Sequence, residues 1–304
     1  MTMLSYMITI LFVMIGVAFL TMMERKVLSY IQTRKGPNKV GFIGILQPFS
    51  DAVKLFLKEN IMPTMSNYLI YMMSPLMGLL ISLLSWLVYP YLINCTMFNL
   101  GLMFFFSCTS ISVYSLMITG WSSNSHYAML GCIRSIAQTI SYEVSLVMII
   151  LCPVIMIESY NLIDFFLFQE KIWFVFLFFP ISMCWISSSM AETNRSPFDF
   201  SEGESELVSG FNVEYGSYLF AFIFLAEYSS IILMSMMFCL IFMGGKINSL
   251  IFPIQISMLS FIFIWVRGTL PRYRYDKLMY MAWKCYLPVS INMFMFFILL
   301  KSIM

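Results

Sequence analysis

The chain has 304 residues, of which 61% are hydrophobic and 11% charged, and its formal net charge is +2. Soluble domains carry about 25% charged residues, so a water-soluble fold is excluded and an all-α polytopic membrane protein is expected. The small positive charge, scattered over loop ends, also excludes a nucleic-acid surface.

Hydropathy and loop punctuation predict eight spans, near residues 3–23, 68–91, 98–119, 136–158, 172–191, 218–243, 250–266 and 285–302, in one integral membrane domain over 1–304. The first charge is Glu24, so the opening residues read as a full span rather than an Arg-rich import presequence. Between the first two spans, Phe49, Ala52, Val53, Phe56 and Leu57 recur at helical spacing, with Ser50, Asp51, Lys54 and Lys58 opposite. Pro48 suits a first helical position. Residues 48–58 therefore read as an amphipathic helix in the membrane interface, a simple anchor or the wall of a site for an amphiphilic ligand.

The 74 residues between Glu59 and Arg134 hold no Asp, Glu, Lys or Arg and must supply two spans. His126, the only histidine, falls in the loop Trp121 to Tyr127, which excludes haem held by histidines on facing helices. Glu143 lies nine residues past Arg134, about 13 Å along the fourth span, and Glu227 lies about as deep in the sixth. Intramembrane acids are costly and face a protein interior or water. A proton relay is one reading, and a static buried ion pair with Arg134 or another base the plainer one.

The connection over 192–217 holds Glu192, Asp199, Glu202, Glu204, Glu206 and Glu214 against Arg195 alone. Such crowding near low dielectric raises and couples proton affinities. Interleaved Leu207, Val208, Phe211, Val213 and Tyr215 suggest a folded segment rather than a solvated loop. The last basic connection, Trp265 to Trp283, alternates Arg267, Arg272, Arg274 and Lys277 with Tyr273, Tyr275 and Tyr280, a docking surface for a soluble partner beside Arg25 and Arg34. Counted by side, fourteen Lys and Arg face Lys171, Lys246 and Lys301 across the membrane, which puts both termini on the less basic side.

Seven cysteines, Cys95, Cys108, Cys132, Cys152, Cys184, Cys239 and Cys285, form no C-x-x-C pair and read as small apolar residues. No glycine-rich nucleotide loop occurs, so any redox chemistry must use cofactors carried elsewhere. The 29 Met and 30 Phe suit a chain made inside an organelle from an AT-rich genome. A proton-coupled transporter would also hold midplane acids, but its repeated halves with interrupted helices are not visible in the letters. A purely structural scaffold would need neither Glu143 nor Glu227.

Several stretches carry a resemblance. They include Glu24-Arg25-Lys26-Val27-Leu28, Arg34-Lys35-Gly36-Pro37-Asn38-Lys39-Val40-Gly41, Gln47-Pro48-Phe49, Gln138-Thr139-Ile140-Ser141-Tyr142-Glu143 and Ala191-Glu192-Thr193-Asn194-Arg195. The run Glu202-Gly203-Glu204-Ser205-Glu206 through Glu214-Tyr215, then Ala226-Glu227-Tyr228 and Trp265-Val266-Arg267-Gly268, extend it over most of the chain. Together they resemble the chain 1 family of NADH:ubiquinone oxidoreductase, respiratory complex I, with an insect mitochondrial flavour.

The resemblance implies a subunit at the junction of membrane and matrix arms, forming much of a ubiquinone tunnel and the start of a proton path. It nominates Arg25, Asp51, Ala52, Phe56, Phe224 and Arg274 for the quinone path. It assigns Glu143, Glu192, Asp199, Glu202, Glu204, Glu206, Glu214 and Glu227 to the proton path, with Arg34, Arg134 and Arg195 as charge partners. Ubiquinone would be substrate, while NADH, FMN and iron–sulfur clusters would sit on partner subunits of the matrix arm, and no metal on this chain. Neighbouring membrane-arm subunits and lipids would complete its surroundings in the mitochondrial inner membrane, with both termini on the intermembrane-space side.

Overall fold

The computed structural model describes residues 2–91, 98–247 and 249–303, with the side chains of residues 2, 204 and 205 outside that description. Cys95 therefore lies outside the described residues. Among the described residues the regular structure is helical throughout. In chain order the α-helices are α1 (Thr2–Ile31), α2 (Gln47–Leu57), α3 (Tyr68–Ser85), α4 (Gly101–Ser122), α5 (His126–Ile157) and α6 (Leu162–Phe168). Then come α7 (Phe174–Leu177), α8 (Phe179–Glu192), α9 (Glu204–Leu207), α10 (Ser217–Phe242), α11 (Ile251–Thr269), α12 (Tyr275–Tyr280) and α13 (Leu287–Ile303).

Among the described residues, seven helical segments are long and apolar enough to cross a membrane. The fifth expected span is instead divided into α7 and the 14-residue α8, with Phe178 between them and Pro180 in the first turn of α8. Proline lacks an N–H and crowds the preceding turn, so it starts a helix readily and continues one poorly. At 1.5 Å per residue α8 alone reaches only about 21 Å, short of a hydrocarbon core of about 30 Å.

Two other boundaries also differ from the sequence reading. His126 is the first residue of α5, not a loop residue, because the α4–α5 turn is confined to Ser123–Ser125. The last basic connection is shorter than expected, since α12 leads through a π-helical turn, Met281–Tyr286, directly into α13. Pro288 cannot donate to the Lys284 carbonyl four residues back, and a π-helical turn is one way a helix absorbs that loss. Pro75 creates the same defect in α3. There the hydroxyl of Ser74 donates to the freed Tyr71 carbonyl at 3.3 Å, as helices in lipid require.

α10 is the central post, buried along its second half from Ile231 to Phe242. Its C-terminal carbonyls at Leu240 and Ile241 accept from the Gln169 amide at 3.2 and 2.9 Å, so two of the orphan groups of that helix end are satisfied. α10 packs against α3, α11, α1 and α2, α4 packs between α3 and α5, and α5 is sandwiched by α4, α8 and α13. α2 lies across α1 and α10: Phe49 meets Phe19 at 6.1 Å and Phe56 meets Phe222 at 6.1 Å. Its outer face leaves Val53 and Leu57 exposed beside Lys54 and Lys58, the surface expected of an interfacial helix.

Candidate functional site

Five side chains from three long helices and one loop meet between α1, α10 and α11. Glu24, near the end of α1, is 5% exposed and pairs with Arg267 of α11. Its other oxygen accepts from the Tyr228 hydroxyl of α10 at 2.5 Å. Arg195, in the turn after α8 and 8% exposed, stands 3.9 Å from Glu24 and 3.6 Å from Glu227. Its guanidinium also lies over the Tyr228 ring, 4.3 Å from the centroid. The turn is positioned by its own backbone: Arg195 N–H donates to the Met190 carbonyl and Phe198 N–H to the Arg195 carbonyl. Burial alone would pull Arg195 down, but Glu227, Tyr228, Glu24 and Glu202 hold it above its ordinary value.

This arrangement is electrically compact. Removing either carboxylate would leave a buried guanidinium partly unpaired, a costly state in low dielectric. Charge on Glu24 and charge on Glu227 are thus read by the same Arg195. A proton gained or lost at one alters the field at the other, although the two sit on different helices.

The acidic connection folds over the basic end of this cluster. Asp199 accepts from the Glu202 backbone N–H at 3.2 Å, and the Asn212 amide donates to Glu202 at 3.2 Å. Burial pushes the Asp199 carboxyl above the usual range, against the Glu202 N–H and the charges of Arg267, Arg272 and Arg195. Glu206 is set apart from the buried acids. It pairs with Arg134 of α5 at 2.5 Å and with Arg272 at 3.7 Å, while Arg272 stacks over Phe200. The Arg134 contact holds Glu206 below the ordinary carboxylate range. Gly210 must be glycine here, since its φ is +56° and a Cβ would strike the Ser201 carbonyl.

Several expected residues come together and others do not. Arg25 and Asp51 pair at 2.5 Å, with the Gln47 amide donating to Asp51 at 3.0 Å. Ala52 is half-buried on the inner stripe of α2, and Phe56 meets Phe222 rather than Phe224. Phe224 makes tilted ring contacts instead with Phe220 and Tyr228. Arg274 stays exposed, paired with its neighbour Asp276 at 3.0 Å, and Arg34 forms no ion pair among the described residues. The side chain of Glu204 lies outside the described residues, and Glu214 contributes its backbone carbonyl, which accepts from Tyr71 at 2.6 Å. The static pair of Glu143 with Arg134 is not formed, because Arg134 turns to Glu206. Glu143 instead accepts from Thr109 of α4 at 3.4 Å.

Glu24, Arg267, Tyr228 and Thr109 are absent from the sequence-derived site. Glu24 and Tyr228 were visible as motif neighbours of Arg25 and Glu227, but nothing in the letters says that α1 and α10 touch there. Between α3, α4 and α10 lies a cavity of about 130 Å³, open at its mouth, whose wall contains both Glu192 and Glu227.

Comparison with known proteins decides the family. A family model described as NADH dehydrogenase matches residues 4–298. The chain belongs to the NADH dehydrogenase family. It is 60% identical over 301 residues to NADH-ubiquinone oxidoreductase chain 1 of Anopheles gambiae, covering 99% of this chain and 96% of that one. It is likewise 60% identical over 298 residues to the protein of that name from Locusta migratoria, covering 98% and 95%. The similarity reaches vertebrates, at 45% over 309 residues with the chain 1 of Hylobates lar, covering 99% and 97%. Family membership and the seven helices that, among the described residues, are long and apolar enough to cross a membrane agree with the multi-pass architecture read from composition.

Proposed function

We propose that this chain is the core membrane subunit of a proton-translocating NADH:ubiquinone oxidoreductase of the mitochondrial inner membrane. In this reading it forms much of the ubiquinone passage where the membrane arm meets the matrix arm. The basic side faces the matrix, and with α7 and α8 together making an eighth crossing both termini lie on the intermembrane-space side. With no C-x-x-C pair and one histidine in the sequence, electrons reach ubiquinone from iron–sulfur clusters on matrix-arm partners, fed by NADH and FMN there. Neighbouring membrane-arm subunits and lipids cover the apolar faces of α1 and α13.

The observation that carries the reading is the buried chain Arg267, Glu24, Tyr228, Arg195, Glu227. It begins beside the Arg25–Asp51 pair of the α1–α2 junction, where a quinone headgroup would pass. It ends on an acid of α10 at membrane depth. A charge change near the quinone is thereby felt at Glu227 through direct pairs, and the acids Glu192, Glu227 and Glu143 carry the proton onward. Arg195 works as a fixed cation that both carboxylates share, and Asp199 and Glu202 bring further acid to its rim.

The test is photolabelling of the assembled complex with an azido-ubiquinone. Label recovered on peptides of α1, α2 and the first half of α10, competed by unlabelled ubiquinone, is expected. Label confined to other chains would remove the passage from this one.

A further inference from the structure

Among the described residues no hydrogen bond joins Glu192 or Glu227 to Glu143, although Glu143 is near enough to Glu192 to act on it through its charge, and Glu143 is not part of the cavity wall that contains Glu192 and Glu227. One side chain belongs to both places. Thr109 of α4 lines the cavity, and its hydroxyl has two acceptors within reach, the Phe106 carbonyl at 3.0 Å and Glu143 Oε1 at 3.4 Å. We infer that Thr109 is the relay joining Glu143 to a file of water in the α3–α4–α10 cavity, through which Glu192 and Glu227 exchange protons with it. This deepens the proposed function and rests on that reading.

Most of the lining surface is apolar, and a row of hydroxyls is set into it. The hydroxyls of Ser82, Ser85, Ser112, Ser115, Thr119 and Ser230 each donate to a backbone carbonyl three residues earlier in their own helix, at 2.6–2.8 Å. Each then offers only lone pairs to the cavity. Walls of acceptors hold water by its hydrogens and leave its oxygens to accept from the next molecule, the order a proton file needs. The cavity of about 130 Å³ compares with roughly 10–15 Å³ needed to hold one water, so several waters fit. At the basic end of the cavity, buried Oε2 of Glu192 and Oδ1 of Asn194 have no partner in the protein. Buried oxygens left unmet are costly and are normally satisfied by water.

Thr109 differs from the other hydroxyls because a carboxylate on another helix competes for its hydrogen. When the hydroxyl turns to Glu143, its hydrogen passes to the carboxylate as a cavity water supplies a new one to the threonine oxygen. That water is refilled by the Glu192 or Glu227 carboxyl. The threonine ends unchanged and one proton has moved from one acid to another.

The test uses the assembled complex in sealed membrane vesicles. Thr109→Val keeps the shape and removes the hydroxyl, whereas Thr109→Ser keeps the hydroxyl. The valine variant should oxidise NADH with a water-soluble acceptor normally, lose inhibitor-sensitive quinone reduction and pumping several-fold, and be rescued by serine. Full pumping with valine, or equal loss with serine, overturns the relay. In the unsubstituted complex Cys108, another residue of this cavity, reports on hydration against Cys152 and Cys239, which are buried and do not line it. A small cationic methanethiosulfonate should modify Cys108 faster than either. Modification of Cys108 only by an apolar maleimide would mean a lipid-filled cavity and would overturn the proposal even if the variants fail to assemble. Normal azido-ubiquinone labelling in the same preparation separates such a failure from failure of the quinone reading.

Discussion

The hydroxyl of Tyr228 donates to Glu24 across 2.5 Å, joining two residues 204 positions apart and fastening α10 to α1. A hydrogen bond to a charged group contributes about 1.5–3 kcal/mol. Tyr228→Phe keeps the ring beneath Arg195 and removes only this bond, and Glu24 retains Arg267. The complex should therefore assemble near normal abundance on a native gel while quinone reduction slows. Loss of the assembled complex would mean that the bond is chiefly a fold contact.

The Arg25–Asp51 pair is largely exposed, with side-chain exposures of 54% and 34%. Such pairs contribute roughly 0–1 kcal/mol, so Asp51→Asn should leave complex abundance unchanged. If the pair shapes the quinone entrance, KM for a short-chain ubiquinone should rise more than kcat falls, with NADH oxidation by a soluble acceptor intact. Equal loss of both activities would point to assembly instead.

Glu206 gives a pH signature. Its folded-state affinity for protons is depressed, chiefly by Arg134. A depressed acid adds stability that is complete above its unfolded pKa and is lost as pH falls through the lower folded one. The Arg134–Glu206 clasp should thus hold through neutral pH and open in the acid range, sooner at high salt because Glu206 is about half exposed. Limited proteolysis of the acidic connection, scanned against pH and salt, reads this opening. Glu206→Gln should make cleavage fast at neutral pH. Cleavage in the wild type that ignores both pH and salt would show that the clasp does not hold the segment.

How much of this was legible depended on whether the information was local. The α2 strap was readable to within a residue, since Pro48 and the Phe49, Ala52, Val53, Phe56 stripe fix both start and face. The division of the fifth span at Phe178 was missed because hydropathy averages over Pro180 and cannot see a broken turn. The start of the last helix was missed for a related reason, as Lys277 and Lys284 read as loop charges although they lie on a helix extending out of the apolar zone. At the site, Glu227 and Arg195 stood out as charges in the wrong place. Glu24 did not, because an acid at the end of a span looks ordinary until α1 is packed against α10. Pairing is the least local fact of all: Arg134 and Glu143 share a helix, yet Arg134 reaches Glu206 and Glu143 reaches Thr109.

Because Arg134 is satisfied by Glu206, Glu143→Gln strands no guanidinium, and the variant should assemble at wild-type abundance. Glutamine keeps the shape and accepts from Thr109 but cannot ionise. The central claim, that proton movement through these acids is obligatory for quinone reduction, is tested by recording NADH:ubiquinone turnover and membrane potential in the same sealed vesicles, per assembled Glu143→Gln complex. Turnover and potential should fall together. Wild-type turnover with wild-type potential in a fully assembled variant would contradict the account.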